Sequence, residues 1–89
     1  MIKRYNSIVR TVDAVQFTFD TLKVIYEFLK FADVTYHVKN RTLSGIITNS
    51  DGEKLNVNKN DFVVKDSAGK ITVWSPLDFT KEFIENTNN

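Results

Sequence analysis

Short runs of β-forming residues, separated by turn residues, fill the second half of the chain, and this alternation most constrains the fold. Residues 34–38 alternate apolar and polar side chains. Asp51-Gly52 supplies the left-handed conformation that a tight hairpin turn needs, and Gly69 lies late in the loop 66–70. The pattern predicts an antiparallel meander. Its later strands are expected at residues 43–48, 53–57, 62–65 and 71–74.

One strand and one helix are predicted before the meander. Residues 8–17 are rich in β-branched side chains at both parities, which is typical of an internal strand. Asp20 or Thr21 then offers an N-cap for a helix over residues 22–32. The apolar side chains of this helix cover an arc of roughly 220°, whereas packing on one core needs a stripe of about 100°.

The wide apolar arc has two interpretations. The helix is either buried on two sides by its own small domain, or it carries a second surface for another subunit. In a chain of 89 residues we favour the second interpretation. Self-association into a dimer or tetramer is therefore expected, with Val24, Phe28 and Phe31 at the interface.

Ser75-Pro76 marks the start of a short closing helix. Ser75 is a capping residue, and Pro76 occupies the first helical position, where its missing N–H costs nothing. Asp78 follows in the first turn, which suits the positive end of the helix dipole. The helix is predicted to continue to about Glu85.

The order of these elements predicts an α+β fold. We expect an antiparallel or mixed β-sheet of about five to six strands, with one helix after strand 1 and a short C-terminal helix. The length predicts a single domain over residues 1–89. Its ends, residues 1–7 and 86–89, are expected to fray.

Composition excludes several kinds of chemistry. The chain has no Cys, which removes disulfides and thiol nucleophiles, and its one His cannot form a two-His metal site. The aspartates lie at predicted turns and helix starts, so we expect no metal, no cofactor and no enzymatic activity. The formal net charge of +1 disfavours general binding to nucleic acids. No run approaches the ~18 apolar residues of a membrane span, so no membrane association is expected.

Cationic and aromatic side chains form the candidate ligand site. Arginine grips phosphate through two hydrogen bonds, and Tyr, His or Trp can stack on a base. The alternatives are a solvated loop of ordinary charges and, for Trp74, a place in the core or at its rim. His37 is interpreted as a surface or ligand-contact residue, since no motif around it supplies a nucleophile. The predicted phosphate- and base-binding residues are Arg10, Tyr36, His37, Lys39, Arg41 and Trp74.

Several stretches resemble motifs of a family of small tailed-phage proteins. Residues 12–17, VDAVQF, are similar to the EAVQW strand of that family, and residues 60–65, NDFVVK, to its GDYIIK motif. Residues 69–71 and 74–83 resemble its GEFY and KPDIFEKTY motifs. The stretches occur in the family's order and cover most of residues 10–84.

The resemblance implies a phage-encoded protein that acts in the host cytoplasm. Some related small phage proteins are anti-CBASS sponges, which assemble as oligomers and sequester cyclic dinucleotide signals of bacterial anti-phage defence without cleaving them. The resemblance therefore implies a homo-oligomer that binds a cyclic dinucleotide. The alternative is a phage accessory or inhibitor protein that binds a host or phage protein through the apolar helix face. Asn60 and Lys70 replace the family's Gly and Glu, so the resemblance gives neither position a role.

Overall fold

Two antiparallel β-sheets and two short α-helices form the fold in the computed structural model, which describes residues 2–6, 11–30 and 32–85. The predicted α+β class is confirmed, but the prediction of one sheet with five to six strands is wrong. The described residues form eight strands in two sheets, and the first helix follows the second strand. In chain order the elements are β1 (Lys3–Asn6), β2 (Thr11–Gln16), α1 (Leu22–Phe28), β3 (Asp33–Lys39), β4 (Thr42–Thr48), β5 (Lys54–Asn58), β6 (Phe62–Lys65), β7 (Ile71–Trp74), α2 (Pro76–Glu82) and β8 (Ile84–Glu85).

β2 lies at the centre of the larger sheet, whose strand order is β7-β6-β2-β1-β8. Val12 and Ala14 of β2 pack into a cluster under α2, whereas Val15 packs into the other core cluster. Both faces of β2 are therefore covered, as expected for an internal strand. β2 begins at Thr11, and residues 8–10 of the predicted strand lie outside the described residues.

The smaller sheet has the strand order β3-β4-β5. A two-residue turn, Asn40-Arg41, joins β3 to β4, and both residues have positive φ, 51° and 63°. This is the conformation of a type I′ turn, which matches the twist of the two strands it joins. The turn between β4 and β5 places Gly52 at φ 83°, as the Asp-Gly pattern predicts.

α1 begins after a single 3₁₀ turn at Phe19–Thr21. The Thr21 hydroxyl donates a hydrogen bond to the carbonyl of Gln16 at 2.6 Å. It also accepts one from the backbone N–H of Thr18 at 3.0 Å. These bonds fix the angle at which the chain leaves β2 and enters the helix.

The helix ends at Phe28, so the prediction that it continues to residue 32 is wrong. The Lys65 ammonium group donates a hydrogen bond to the Phe28 carbonyl at 3.0 Å, which satisfies one of the acceptors left free at the helix end. The positive charge of Lys65, which lies on β6 and 37 positions away in sequence, therefore stabilises the end of this helix. Neither described helix is long and apolar enough to cross a membrane.

Two hydrophobic clusters form the core. One lies between α1 and both sheets, and Phe17, Ile25, Leu43, Ile47 and Val63 are fully buried in it. The other lies between α2 and the larger sheet, with Phe79 and Phe83 packed on Val12, Ala14 and Val64. The larger sheet therefore has one cluster on each of its faces.

α2 begins as the sequence predicts. The Ser75 hydroxyl accepts a hydrogen bond from the backbone N–H of Asp78 at 3.2 Å, and Pro76 is the first helical residue. The helix ends at Glu82, so its predicted extension to Glu85 is wrong. Ile84–Glu85 instead form β8, which pairs with β1.

β1 shows that part of the first seven residues, which the sequence assigns to a frayed end, is paired. Its four residues lie opposite residues 11–14 of β2. Arg4 and Asp13 are register partners, and the Arg4 Nε atom lies 2.9 Å from the Asp13 Oδ1 atom. This hydrogen bond and the negative charge of Asp13 raise the pKa of Arg4.

Asn60 occupies a left-handed position, φ 76°, in the turn between β5 and β6. Glycine adopts this conformation without strain, whereas alanine carries a Cβ that disfavours it. We expect Asn60→Gly to raise the free energy of unfolding by a few tenths of a kcal/mol and Asn60→Ala to lower it by about 1 kcal/mol. Urea denaturation followed by circular dichroism measures both. Asn56→Ala, on the exposed face of β5, is the matched control, and equal effects at both positions would contradict the argument.

Candidate functional site

The predicted ligand set on β3 does not share one surface. Tyr36 lies opposite Gly45 on the face that packs against α1, and its ring meets the Tyr26 ring with centroids 6.5 Å apart. His37 lies opposite Ser44 on the outer face, since successive side chains of a strand point to opposite sides. Lys39 shares the outer face with His37, whereas Arg41 lies in the β3–β4 turn. Tyr36 and His37 therefore cannot hold one ligand together on one face of this sheet.

The two remaining members of that set lie elsewhere or outside the described residues. Trp74 is half-buried in the aromatic cluster under α2, where its ring meets Phe83 edge-on at 5.3 Å. Its indole N–H donates a hydrogen bond to the Thr72 hydroxyl at 3.0 Å. This environment favours the alternative of a residue at the rim of the core. Arg10 lies outside the described residues.

The predicted oligomer surface on α1 is largely internal. Phe28 is only 6% exposed and belongs to the main core cluster. The Lys65 ammonium group covers its ring at 4.6 Å from the centroid. Val24 is half-buried against the same cluster, and Phe31 lies outside the described residues. The prediction that Phe28 forms an exposed interface is wrong, because its side chain is buried in the main core cluster between α1 and the two sheets.

A cleft of about 600 Å³ lies where three loop regions meet. We call it the three-loop cleft. One wall is the end of α1 with the residues that follow it, the second is the β4–β5 turn, and the third is the β6–β7 turn. Phe28, Leu29 and Ile71 provide an apolar floor, and the first two are buried.

Two turns of the cleft are braced by side chains that bond to their own backbone. The Asn49 side-chain oxygen accepts hydrogen bonds from the backbone N–H groups of Asp51 and Glu53, both at 3.0 Å. One carboxylate oxygen of Asp66 accepts from the N–H groups of Ala68 and Lys70, both at 2.9 Å. Such bonds replace the mobility of a free loop with one preferred conformation. Two of the three walls are therefore formed before any ligand binds.

The charged side chains of the cleft come from all three walls. Lys30 lies on the α1 side, and Lys65 and Lys70 lie on the β6–β7 side. Asp51 and Glu53 lie on the β4–β5 turn, so three cations face two anions. The Glu53 carboxylate already accepts a hydrogen bond from the Asn49 amide at 3.0 Å.

Sequence reasoning missed this cleft. Its lysines are ordinary in the sequence, and its walls are about twenty residues apart along the chain. The local signals were present, because the Asp51-Gly52 turn and the loop 66–70 were both predicted. What brings them together is the packing of the two sheets, which residue patterns do not encode. The described residues contain no group of three or more His, Cys, Asp or Glu side chains that could hold a metal ion.

Comparison with protein-family models, with curated proteins and with solved structures gave no match. The resemblance to the tailed-phage family therefore depends only on the motif-like stretches of the sequence.

Proposed function

We propose that this chain is a binding protein that holds a small phosphate-bearing ligand, of the cyclic dinucleotide class, in the three-loop cleft and releases it unchanged. The observation that carries the proposal is the meeting of Lys30, Lys65 and Lys70 around an apolar floor. An ammonium group is a compact charge with three donors, and it suits a phosphate oxygen. Apolar side chains beneath the cations suit the face of a base.

The size and rigidity of the cleft support the same proposal. Small-molecule sites span roughly 300–1,000 Å³, and this cleft has about 600 Å³. Its two braced turns reduce the entropy lost when a ligand binds. Asp51 and Glu53 offer acceptors for the amino groups of a base or the hydroxyl groups of a ribose.

Binding without turnover is part of the proposal. His37, the one histidine of the chain, lies on the outer face of the smaller sheet and is not among the residues that line the cleft. The side chain of Lys65 is already bonded to the Phe28 carbonyl, which favours a role in shaping the cleft and holding charge. The phage-family resemblance implies the host cytoplasm, and there such binding would keep a nucleotide signal from its receptor.

Removing one cleft lysine is expected to weaken the binding of a cyclic dinucleotide. Lys70→Gln keeps the size and polarity of the side chain but removes its charge, so a charge-assisted hydrogen bond to phosphate is lost. The expected increase in the dissociation constant is roughly 10- to 100-fold, because such a bond contributes about 1.5–3 kcal/mol. Isothermal titration calorimetry with a panel of cyclic di- and trinucleotides measures the change.

Arg41→Ala is the control, because Arg41 lies in the β3–β4 turn and does not line the cleft. The unmodified chain should melt at a higher temperature with ligand, and the ligand should be recovered chemically intact after heating. An unchanged melting temperature across the panel, at ligand well above micromolar, would rule out the proposal. Loss of binding in Arg41→Ala with full binding in Lys70→Gln would move the site to β3.

A protein-binding role is the second candidate. The helix face first assigned to it is mostly covered, since Phe28 is buried. Exposed apolar side chains remain beside it, where the Tyr26 ring of α1 meets the Tyr36 ring of β3 and Val38 lies on the same face of that strand. This observation favours a partner that covers β3, and a pull-down that loses its partner on Tyr36→Ser tests that role.

A further inference from the structure

We propose that two copies of this chain associate through the free edges of β3, with the two strands antiparallel about a two-fold axis at Tyr36. The pairing would join two three-stranded sheets into one sheet of six strands. The inference is independent of what the three-loop cleft binds. It also replaces the helix face of α1, where the sequence predicts self-association, with a different surface.

The backbone of β3 offers unused hydrogen-bonding groups on one side. β3 pairs with β4, and no described strand pairs with its other edge. The Leu43 carbonyl accepts a hydrogen bond from the N–H of Lys59, so Leu43 directs its backbone groups toward the β5 side and away from β3. In an antiparallel pair the residue opposite must then direct its own groups outward. That residue is Val38, and by alternation Tyr36 and Val34 also present N–H and C=O groups at the free edge.

The sequence of β3 is complementary to itself in this register. With Tyr36 opposite its own copy, Asp33 lies opposite Lys39 at both ends of the new pair, because the two residues are equally far from Tyr36. Val34 then lies opposite Val38, which makes a cross-strand pair of β-branched side chains. Neither the Asp33 carboxylate nor the Lys39 ammonium group has a hydrogen-bond or ion-pair partner among the described residues. The pairing gives both charges a partner of opposite sign.

Apolar side chains on the face of β3 that is turned toward the core are also exposed to solvent. Tyr36 is 44% exposed and Val38 is 53% exposed, although both lie on the face that the core covers elsewhere in the sheet. In the proposed dimer the two Tyr36 rings adjoin each other on that face, between the Tyr26 rings of the two copies. Apolar surface that one copy leaves in water is thereby buried by the second.

β3 lacks several of the features that prevent edge-to-edge pairing, and its two charged residues lie at its ends. Proteins protect an exposed edge with Pro, with a bulge, with charged side chains, or by keeping the strand short. β3 has seven residues, no Pro or Gly, and an unbroken register with β4 from Asp33 to Lys39. A long, regular edge of this kind is typical of a strand that pairs with another chain.

Charge reversal at the two ends of β3 tests the register. Asp33→Lys alone puts a lysine opposite Lys39 of the second copy at both ends of the pair. Lys39→Asp alone puts an aspartate opposite Asp33 in the same two places. Each is expected to raise the dimer dissociation constant at least about 10-fold, given that like charges directly opposite each other are destabilising. Mixing the two single variants in equal amounts should restore dimers, because the mixed pair sets opposite charges together at both ends. The double variant should also form dimers.

Sedimentation velocity measures the result on the full chain, as a shift between 10.3 kDa and twice that mass. Lys54→Asp is the matched control, since it reverses a charge on β5 at the opposite edge of the same sheet. An unmodified chain that stays monomeric at ~0.5 mM, well above the micromolar range of ordinary specific association, overturns the proposal. Single variants that dimerise as well as the unmodified chain overturn it too.

Hydrogen exchange gives a second test that needs no substitution. In the unmodified chain the amides of Val34, Tyr36 and Val38 should exchange more slowly as protein concentration rises, since pairing of two copies engages them. The Asn56 amide, on β5 at the far edge, should show no such dependence. Exchange at the β3 amides that does not change with concentration overturns the proposal, whatever the outcome of the charge reversals.

Discussion

Replacing Phe79 by alanine is expected to lower the free energy of unfolding by about 3–5 kcal/mol, the usual cost of deleting a buried aromatic side chain. Phe79 anchors α2 to the larger sheet, and it is only 1% exposed. Its ring stacks on the Phe62 ring with centroids 4.1 Å apart and on the Phe83 ring at 4.8 Å. The Tyr5 ring meets it edge-on at 4.7 Å.

This loss of stability is large compared with the total stability expected for a chain of this length. A domain of 89 residues has a net stability of about 4–13 kcal/mol, at 0.05–0.15 kcal/mol per residue. The rings around Phe79 belong to β1, to β6 and to the residue that follows α2, so one small movement cannot close the cavity. We therefore expect the melting temperature to fall by at least ~12 °C, because 1 kcal/mol corresponds to about 4–8 °C in a domain of this length.

Thermal unfolding followed by circular dichroism and by the fluorescence of Trp74 measures the effect. Trp74 is the one tryptophan of the chain, and its ring lies 6.5 Å from the Phe79 ring, so its emission reports directly on this cluster. Leu77→Ala is the matched control, because Leu77 lies on the same helix but is 64% exposed. Its effect should stay within about 0.5 kcal/mol. Equal losses in both variants would contradict the packing of α2 on the sheet.

Local signals in the sequence predicted local structure well. Ser75-Pro76 predicted the start of α2, and the cap hydrogen bond to Ser75 is present. Asp51-Gly52 predicted the β4–β5 turn, where Gly52 has the required positive φ. Each of these elements is determined within a few residues, so a short window of sequence contains the physical cause.

The division into two sheets depends on long-range pairing, and the sequence pattern did not predict it. β2 pairs with β6, about fifty residues later, and the residue pattern of neither strand identifies the other as its partner. β1 carries one apolar side chain, Tyr5, and it is a strand because β2 and β8 pair with it. The apolar arc was predicted for a helix over residues 22–32, but the helix ends at Phe28, and a distant part of the chain, including Lys65, covers Phe28.

The sequence did not predict the three-loop cleft. Cations and aromatic side chains were expected to hold a phosphate-bearing ligand, and they were sought on β3 because Tyr36, His37 and Lys39 are close in sequence. Strand geometry separates these neighbours onto two faces. The cations of the three-loop cleft are scattered in sequence, at positions 30, 65 and 70, and the packing of the two sheets brings them together.

Replacing Gly45 by valine is expected to lower the free energy of unfolding by about 3 kcal/mol or more, at the upper end of the usual cost of overpacking a core. Gly45 lies in the middle of β4 on the face that meets the core. A Cβ atom there would lie 2.7 Å from the Thr35 carbonyl oxygen, 3.1 Å from the Phe17 ring and 3.3 Å from Val57. Thr35 precedes Tyr36, the residue of β3 that pairs with Gly45. Its carbonyl therefore cannot move away from the new Cβ without weakening the β3–β4 pairing.

Ser44→Val is the matched control for this substitution. Ser44 is the preceding residue of β4 and lies on the outer face of the sheet, where valine suits a strand. We expect the free energy of unfolding of the Ser44→Val variant, measured by urea denaturation, to stay within about 0.5 kcal/mol of that of the unmodified chain. A loss as large as that of Gly45→Val would mean that β4 does not tolerate any branched side chain, and the close approach at Gly45 would not be the cause.

A substitution at Phe17 distinguishes its own contact with a Cβ at Gly45 from the contacts of the Thr35 carbonyl and Val57. Phe17→Leu removes the ring but leaves the Thr35 carbonyl in place, so it should relieve part of the cost of Gly45→Ala. In a double-mutant cycle we expect a favourable coupling of about 1 kcal/mol, within the 0.5–3 kcal/mol seen for residues in contact. Additive losses would place the cost on the backbone of β3 and on Val57, and not on the Phe17 ring. Because β3 is also the strand proposed to pair with a second copy, Gly45→Val should weaken that association along with the fold.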